Sequence, residues 1–208
     1  MIIDLTHPIN SVMPVYPGTI PPRIEQHCNI EKDGFAESGL SMVTHTGTHI
    51  DAPCHLFSGA ASLDKLPLDR YAGSAFVIRC GNRAELDLDF LNIFSFEIKQ
   101  TDFVLFCTGW AEKWGSSDYF SDFPVLTPEA CRWLASFPLK GIGFDTLSAD
   151  LVGSQELPNH RILLKKEILI IENLNNLAGI PSICKFQCFP LRIENADGSP
   201  VRALAIIE

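Results

Sequence analysis

The chain has 208 residues, of which 46% are hydrophobic and 20% are charged, and it carries a formal net charge of −9. This composition predicts one folded domain over residues 1–208 and excludes a disordered chain. The acidic balance, without a cluster of lysine and arginine, argues against binding to nucleic acid or to an anionic membrane.

Short apolar segments rich in β-branched residues recur along the chain and predict β-strands. In chain order they cover residues 2–6, 40–51, 75–80, 103–108, 141–145, 168–172, 186–193 and 203–207. Helices are predicted over 93–99, from Thr127 to the residue before Pro138, and over 159–166; the second begins with an N-cap threonine followed by proline. Strands interspersed with a few helices predict an α/β fold with a mixed sheet or barrel core.

The seven cysteines bear on the cellular compartment. Their number is odd and none forms a C-x-x-C pair, which favours reduced thiols packed as small hydrophobic side chains in a cytoplasmic protein. No charged segment precedes an apolar one at Met1, and no apolar run reaches membrane-spanning length. The slightly low charged fraction suggests that some apolar surface is buried against another subunit.

The segment T-H-T-G-T-H-I-D-A-P-C-H at 44–55 carries the strongest functional signal. His45, His49, Asp51 and His55 all have odd numbers, and odd positions of a β-strand share one face. The glycine and proline within the segment argue against a helix. The pattern therefore predicts an extended segment that presents three imidazoles and a carboxylate to one side, a set that suits a divalent metal with an acid/base group beside it.

The alternative to a metal site is a solvent-exposed polar face. The apolar neighbours Leu40 and Ile50 weaken that alternative, and burial of four such groups without a metal costs several kcal/mol per group. Cys54 has an even number and is predicted to point away from the histidines, into the core.

A metal needs ligands from more than one segment, and two distant residues are the best candidates. His160 begins the helical segment at 159–166, and Glu172 ends an apolar strand, where a carboxylate needs a partner if it is buried. The alternative for Glu172 is a strand end that reaches solvent. We interpret His7 and His27 as surface or structural residues.

The residues from His45 to His55 match the pattern H-x-G-T-H-x-D-x-P-x-H, and the chain here resembles the cyclase-family metal hydrolases, whose best-known members are bacterial kynurenine formamidases (arylformamidases). Weaker similarities follow in the same order along the chain: D-L-T-H-P-I near the N-terminus, P-V-Y-P-G at 14–18, T-G-W at 108–110, G-F-D-T-x-S at 143–148, and H-x₁₁-E-N-L from His160.

The resemblance implies roles for individual residues. It assigns metal binding to His45, His49, Asp51, His160 and Glu172, with Asp51 bridging two ions. It assigns general acid/base catalysis to His55. It implies two zinc ions, with manganese in some relatives, and a swivelling β/α-type fold that forms a homodimer.

The resemblance also implies hydrolysis of a small aryl or cyclic amide, such as N-formylkynurenine to kynurenine and formate. In the formamidases the segment that matches 15–19 resembles V-W-P-G-D, whereas this chain has tyrosine at 16 and threonine at 19. Tyr16, together with Phe57, is expected to line the aryl pocket. Plain core packing is the alternative for Phe57. A backbone N–H near Thr108 and Gly109 is expected to stabilise an oxyanion. Hydrolysis of an isatin-type cyclic amide, metal-dependent cyclase, lyase or dehydratase chemistry, and a non-catalytic metal-binding protein remain alternatives.

Overall fold

A curled, mixed β-sheet organises the protein in the computed structural model, which describes residues 1–207. The strands are β1 Ile2–Asp4, β2 Arg23–Cys28, β3 Glu37–Ser41, β4 His49–Asp51, β5 Ala72–Arg79, β6 Glu85–Leu86, β7 Phe103–Cys107, β8 Val125–Leu126, β9 Gly141–Phe144, β10 Leu169–Glu172, β11 Ile183–Gln187, β12 Gly198–Pro200 and β13 Leu204–Ile206. The α-helices are α1 Ile30–Asp33, α2 Leu88–Asn92, α3 Ser95–Ile98, α4 Pro128–Leu134 and α5 Pro158–Lys165.

Nine of these strands form the main sheet, in the order β1-β13-β11-β5-β7-β9-β10-β4-β12. The central strands β5, β7, β9 and β10 are parallel to one another, and the strands on either side of them pair antiparallel. An isolated bridge between Thr6 and Leu174 links the chain after β1 to the chain after β10, so the sheet curls back on itself. The predicted α/β fold with a mixed sheet is confirmed.

The central strands are buried on both faces. In β7, Phe103 and Leu105 pack into one hydrophobic cluster, whereas Val104 and Phe106 pack into a second cluster with residues of α4 and α5. A strand that is covered on both sides reads as a continuous apolar run rather than an alternating one. This explains why these strands were predictable from their composition.

Most predicted elements occur close to their expected positions, and α4 begins as its sequence indicates, with the Thr127 hydroxyl accepting a hydrogen bond from the Ala130 N–H at 3.2 Å. The strand predicted over 186–193 is displaced: it spans Ile183–Gln187. The chain leaves the regular sheet after this strand, where Pro190 makes only an isolated bridge, because proline cannot donate to a strand ladder.

The single strand predicted over 40–51 is wrong. The structure has β3, which ends at Ser41, and β4, which begins at His49, with a loop between them. Gly47 lies in that loop with a φ of +62°, a left-handed conformation that a continuous strand does not contain. The apolar and β-branched composition of this segment concealed the break.

His7 and His27, the histidines outside the motif that we interpreted as surface or structural, differ in their surroundings. His27 is exposed on β2. His7 is buried and stacks on Trp114 with ring centroids 3.9 Å apart, and burial lowers its pKa to about 4. None of the helices within residues 1–207 is long and apolar enough to cross a membrane.

Candidate metal centre

Strand β4 lies between β10 and β12, and this pairing assembles the centre. His49 is the register partner of Glu172 on β10, and Asp51 is the partner of Gly198 on β12. His49 Nε2 lies 3.4 Å from an oxygen of Asp51 and 3.4 Å from an oxygen of Glu172. Two neighbouring strands thus bring an imidazole and two carboxylates into contact.

His45 and His55 reach the centre from the chain segments on either side of β4. His45 lies in the loop that turns at Gly47, and its Nδ1 is 2.8 Å from Asp51 Oδ1. His55 ends the 3₁₀ helix Pro53–His55, and its ring centroid is 4.2 Å from that of His45. The four predicted side chains do converge, but the expected single strand face is wrong because a left-handed turn precedes β4 and a 3₁₀ turn follows it.

His160 joins them from the first turn of α5. Its Nε2 lies 3.2 Å from Glu172 Oε1 and 3.6 Å from Asp51 Oδ2. Glu172 is only 5% exposed, so the alternative of a strand end that reaches solvent is excluded. The structure thus brings His160 and Glu172 beside Asp51.

Asp150 fixes the orientation of the His160 ring. The Asp150 carboxylate accepts hydrogen bonds from the backbone N–H groups of Asn159 and His160, each at 3.0 Å, and lies 2.7 Å from His160 Nδ1. It therefore caps the start of α5 and fixes the ring. Burial lowers the pKa of His160, but the hydrogen bond with Asp150 leads the effects that outweigh burial and raise the pKa well above its usual value.

The backbone holds two further members of the centre. His49 Nδ1 lies 2.8 Å from the Gly47 carbonyl oxygen. Glu172 Oε1 accepts a hydrogen bond from the Ala149 N–H at 2.8 Å. These contacts orient both side chains. The other ring nitrogen of His49 faces Asp51, and the other carboxylate oxygen of Glu172 faces His49.

Asp197 is a member of this constellation that the sequence analysis missed. Its Oδ2 lies 3.1 Å from His45 Nε2 and 3.4 Å from His55 Nδ1, and its Oδ1 accepts a hydrogen bond from the Thr44 hydroxyl at 3.0 Å. In the sequence this residue is an aspartate before a glycine, which reads as a turn. Only the pairing of β12 with β4 brings it to the site.

Asp51 itself provides the test of whether these residues fit a metal. It is 1% exposed, and neither carboxylate oxygen accepts a hydrogen bond of good geometry from residues 1–207, although His45 Nδ1 lies 2.8 Å from Oδ1. A buried carboxylate without donors is strongly unfavourable unless a cation balances it. Burial lowers the pKa of His45, but the charge of Asp51 outweighs burial and raises that pKa to about 9, so this position calls for positive charge.

The ligand atoms fall into two groups that share Asp51. His45, His49 and Asp51 form one, and Asp51, His160 and Glu172 form the other; within each group the atoms lie within 4.8 Å of one another. Imidazole and carboxylate donors suit zinc, manganese or iron. The donor set therefore fits a divalent metal.

A cavity of about 540 Å³ opens above the centre. Its apolar wall comprises Val15, Tyr16, Ile20, Val43, Leu147 and Leu157. The Tyr16 hydroxyl accepts a hydrogen bond from the Gly153 N–H at 3.3 Å, which joins the two loops that form this wall. Tyr16 is thus part of the cavity wall.

Phe57 is not among the described residues that line this cavity. Its ring packs beside Leu56 against the hydrophobic cluster that contains residues of α4 and α5. Cys54 packs against the other core cluster, as predicted. The structure thus favours plain core packing for Phe57.

The expected oxyanion donors at Thr108 and Gly109 are already occupied. The N–H groups of both residues donate to the Asp145 carboxylate, at 2.9 Å and 2.8 Å respectively. This expectation is therefore wrong: a buried carboxylate binds both amides and stabilises the turn after β7.

The Cyclase family model, described as putative cyclase, matches residues 3–151. The chain is 32% identical over 203 residues to the kynurenine formamidase of Bordetella avium (strain 197N), covering 97% of this chain and 95% of the relative. Isatin hydrolase A from Labrenzia aggregata bound to benzyl benzoate has a TM-score of 0.90 with 28% identity, covering 100% of this chain and 93% of that chain. A predicted metal-dependent hydrolase from Bacillus stearothermophilus has a TM-score of 0.81 with 28% identity, covering 99% of this chain and 97% of that chain. These similarities confirm the resemblance found from the motif.

Substitution of Gly198 tests the geometry of the centre. A Cβ at this position would lie 2.6 Å from Cε1 and 2.8 Å from Nε2 of His45, so Gly198→Ala must displace that ring. We expect zinc affinity, measured by competition with a chromophoric chelator, to fall by roughly 10-fold or more. Gly179→Ala, where a Cβ meets nothing within 4 Å, is the control. Equal affinities in the two variants would contradict the assignment of His45.

Proposed function

The chain belongs to the Cyclase family, and from that membership we propose that it is a metal-dependent hydrolase that cleaves the C–N bond of a small aryl or cyclic amide. The observation that carries this proposal is the buried Asp51 carboxylate, which accepts no hydrogen bond of good geometry within residues 1–207 and faces three imidazoles at the base of an apolar cavity. The names of the relatives support the reaction class, since one is a kynurenine formamidase and one an isatin hydrolase. N-formylkynurenine is the first substrate to test.

The proposed ligands are the members of the two groups that share Asp51. One ion would be held by His45, His49 and Asp51, and a second by Asp51, His160 and Glu172. We assign zinc to both positions, with manganese as the alternative. A bound divalent cation supplies a Lewis acid that polarises the amide carbonyl and makes water a better nucleophile near neutral pH.

His55 is the proposed acid/base group. It lines the cavity beside the centre, and its Nδ1 is engaged by Asp197, which leaves Nε2 available. His55 accepts the proton of the attacking water and returns it to the leaving nitrogen. Burial lowers the pKa of His55, which favours the neutral imidazole that such a base requires.

Tyr16 and its apolar neighbours are the proposed binding surface for the ring of the substrate. An aromatic side chain can stack on an aryl group, and the cavity wall beside Tyr16 is aliphatic. Tyrosine in place of the formamidase tryptophan gives a smaller surface with a hydroxyl group. The preferred aryl group therefore differs from that of the formamidases.

We assign a homodimer to this enzyme in solution. The hairpin of β2 and β3 leaves Ile24, Phe35 and Leu40 between 42% and 54% exposed, which is apolar surface available to a second copy. Size-exclusion chromatography with light scattering should give twice the chain mass of 23.0 kDa. A cytoplasmic location is supported by the seven free cysteines, and cell fractionation tests it.

The reaction class is tested with a panel of N-formylkynurenine, isatin and formanilide. We expect the zinc- or manganese-loaded protein to hydrolyse at least one of them, and chelation with EDTA to abolish the activity until metal is restored. Hydrolysis of none of them by the metal-loaded protein would refute the proposal and favour cyclase, lyase or dehydratase chemistry.

Asp51→Ala tests the shared ligand. Because Asp51 belongs to both ligand groups, its loss should remove most bound metal, which elemental analysis measures against about two ions in the unchanged protein. Asp118→Ala, at an exposed position, is the control. Retention of native metal content by Asp51→Ala would rule out the binuclear centre.

His55→Ala separates catalysis from metal binding. Loss of an acid/base group should lower kcat by roughly 10²- to 10⁴-fold while the metal content stays unchanged. His27→Ala, which removes an exposed imidazole, should keep full activity. If elemental analysis found the ions gone from His55→Ala, the residue would be a ligand instead.

A further inference from the structure

One carboxylate outside the motif, Asp197, contacts two of the histidines that line the cavity, His45 and His55. Its Oδ2 lies 3.1 Å from His45 Nε2 and 3.4 Å from His55 Nδ1. We infer that Asp197 is a positioning residue that fixes opposite ring tautomers in these two histidines. The inference rests on the proposed function for the roles of His45 as ligand and His55 as acid/base.

The orientation of this carboxylate is itself determined. Thr44 donates its hydroxyl to Oδ1 at 3.0 Å, so Oδ2 is the oxygen that remains for the two rings. The backbone carbonyl of Asp197 accepts a hydrogen bond from the Ala52 N–H at 2.8 Å. Asp197 is thus tied to the end of β4, the strand that carries Asp51.

The two rings present different nitrogens to Asp197. A carboxylate accepts hydrogen bonds, so the ring nitrogen that faces it carries the proton. In His45, Nε2 faces Asp197 and Nδ1 faces Asp51 at 2.8 Å; a metal ion held by Asp51 would replace the proton at Nδ1, so the remaining proton is on Nε2. In His55 the nitrogen that faces Asp197 is Nδ1, which leaves the lone pair on Nε2 for proton transfer.

Asp197 Oδ2 therefore fixes the tautomer of the proposed ligand His45 and of the proposed base His55. The rings of His45 and His55 lie with centroids 4.2 Å apart, so a rotation of either ring would disturb the other. Without Asp197, each imidazole is free to exchange its proton between the two nitrogens and to lose its orientation.

The same three side chains also have atoms close enough to hold a cation of their own. The hydrogen bonding argues against that role. The Asp197 side chain is 44% exposed and has the Thr44 hydroxyl as a donor besides the two imidazoles, whereas Asp51 is 1% exposed and has no hydrogen bond of good geometry. A cation is needed at Asp51 and not at Asp197.

The test compares Asp197→Asn with Asp64→Asn. Asp64 anchors the same segment, since it accepts a hydrogen bond from the Asn195 N–H at 2.9 Å, and it serves as the matched control. Ring-nitrogen spectra from long-range ¹H–¹⁵N NMR of the zinc-loaded protein report the tautomers, with the His55 signals identified by their absence in His55→Gln. Zinc affinity, kcat and KM are measured on the same samples.

We expect the unchanged protein to show a protonated Nε2 in His45 and a protonated Nδ1 in His55. In Asp197→Asn the His55 tautomers should mix, while zinc affinity and kcat should each fall by roughly 10- to 100-fold with KM unchanged. Asp64→Asn should match the unchanged protein in all four measurements.

Three results would overturn the inference. One is the same tautomer in both histidines of the unchanged protein, once His55→Gln has identified the His55 signals. The second is an Asp197→Asn protein that matches Asp64→Asn, and the third is the loss of one zinc ion per chain from Asp197→Asn, which would make Asp197 a ligand. If the unchanged protein hydrolysed no amide, the proposed function would fail, whereas the tautomer measurement would still decide this inference.

Discussion

The carboxylate of Asp51 is the group on which the organisation of this protein depends. Its charge is buried at the end of a strand that is paired on both edges, where water cannot compensate it. The protein surrounds it with imidazoles, and none of them donates a hydrogen bond of good geometry to it. Positive charge at this point is therefore required, and the neighbouring side chains are fixed by partners of their own so that their remaining donor atoms face inward.

The sheet makes this arrangement possible. Central strands that are apolar on both faces form a rigid support, and β10 carries Glu172 at its carboxyl end beside β4. The loop after β9 supplies Ala149 and Asp150, and the first turn of α5 supplies His160. Side chains on paired strands and on a capped helix start are held in position more precisely than side chains on free loops.

Much of the fold and of the site was predictable because the relevant signals are local. Continuous apolar runs identify doubly buried strands, and the spacing of His45, His49, Asp51 and His55 identifies ligand chemistry even though the strand-face argument fails at the Gly47 turn. Partners that depend on long-range pairing were not predictable. Asp197 and the capture of the Thr108 and Gly109 amides by Asp145 follow from which segments become neighbours, and hydrophobic patterning does not encode that.

The position of β4 between β10 and β12 also determines when the centre can form. The motif is encoded in the first third of the chain, but its two strand partners lie roughly 120 and 150 residues further on. Closing loops of that length is entropically costly and slow compared with local folding. During synthesis the motif histidines therefore wait for β10 and α5, and a metal ion gains the full proposed ligand set only after Glu172 has been made.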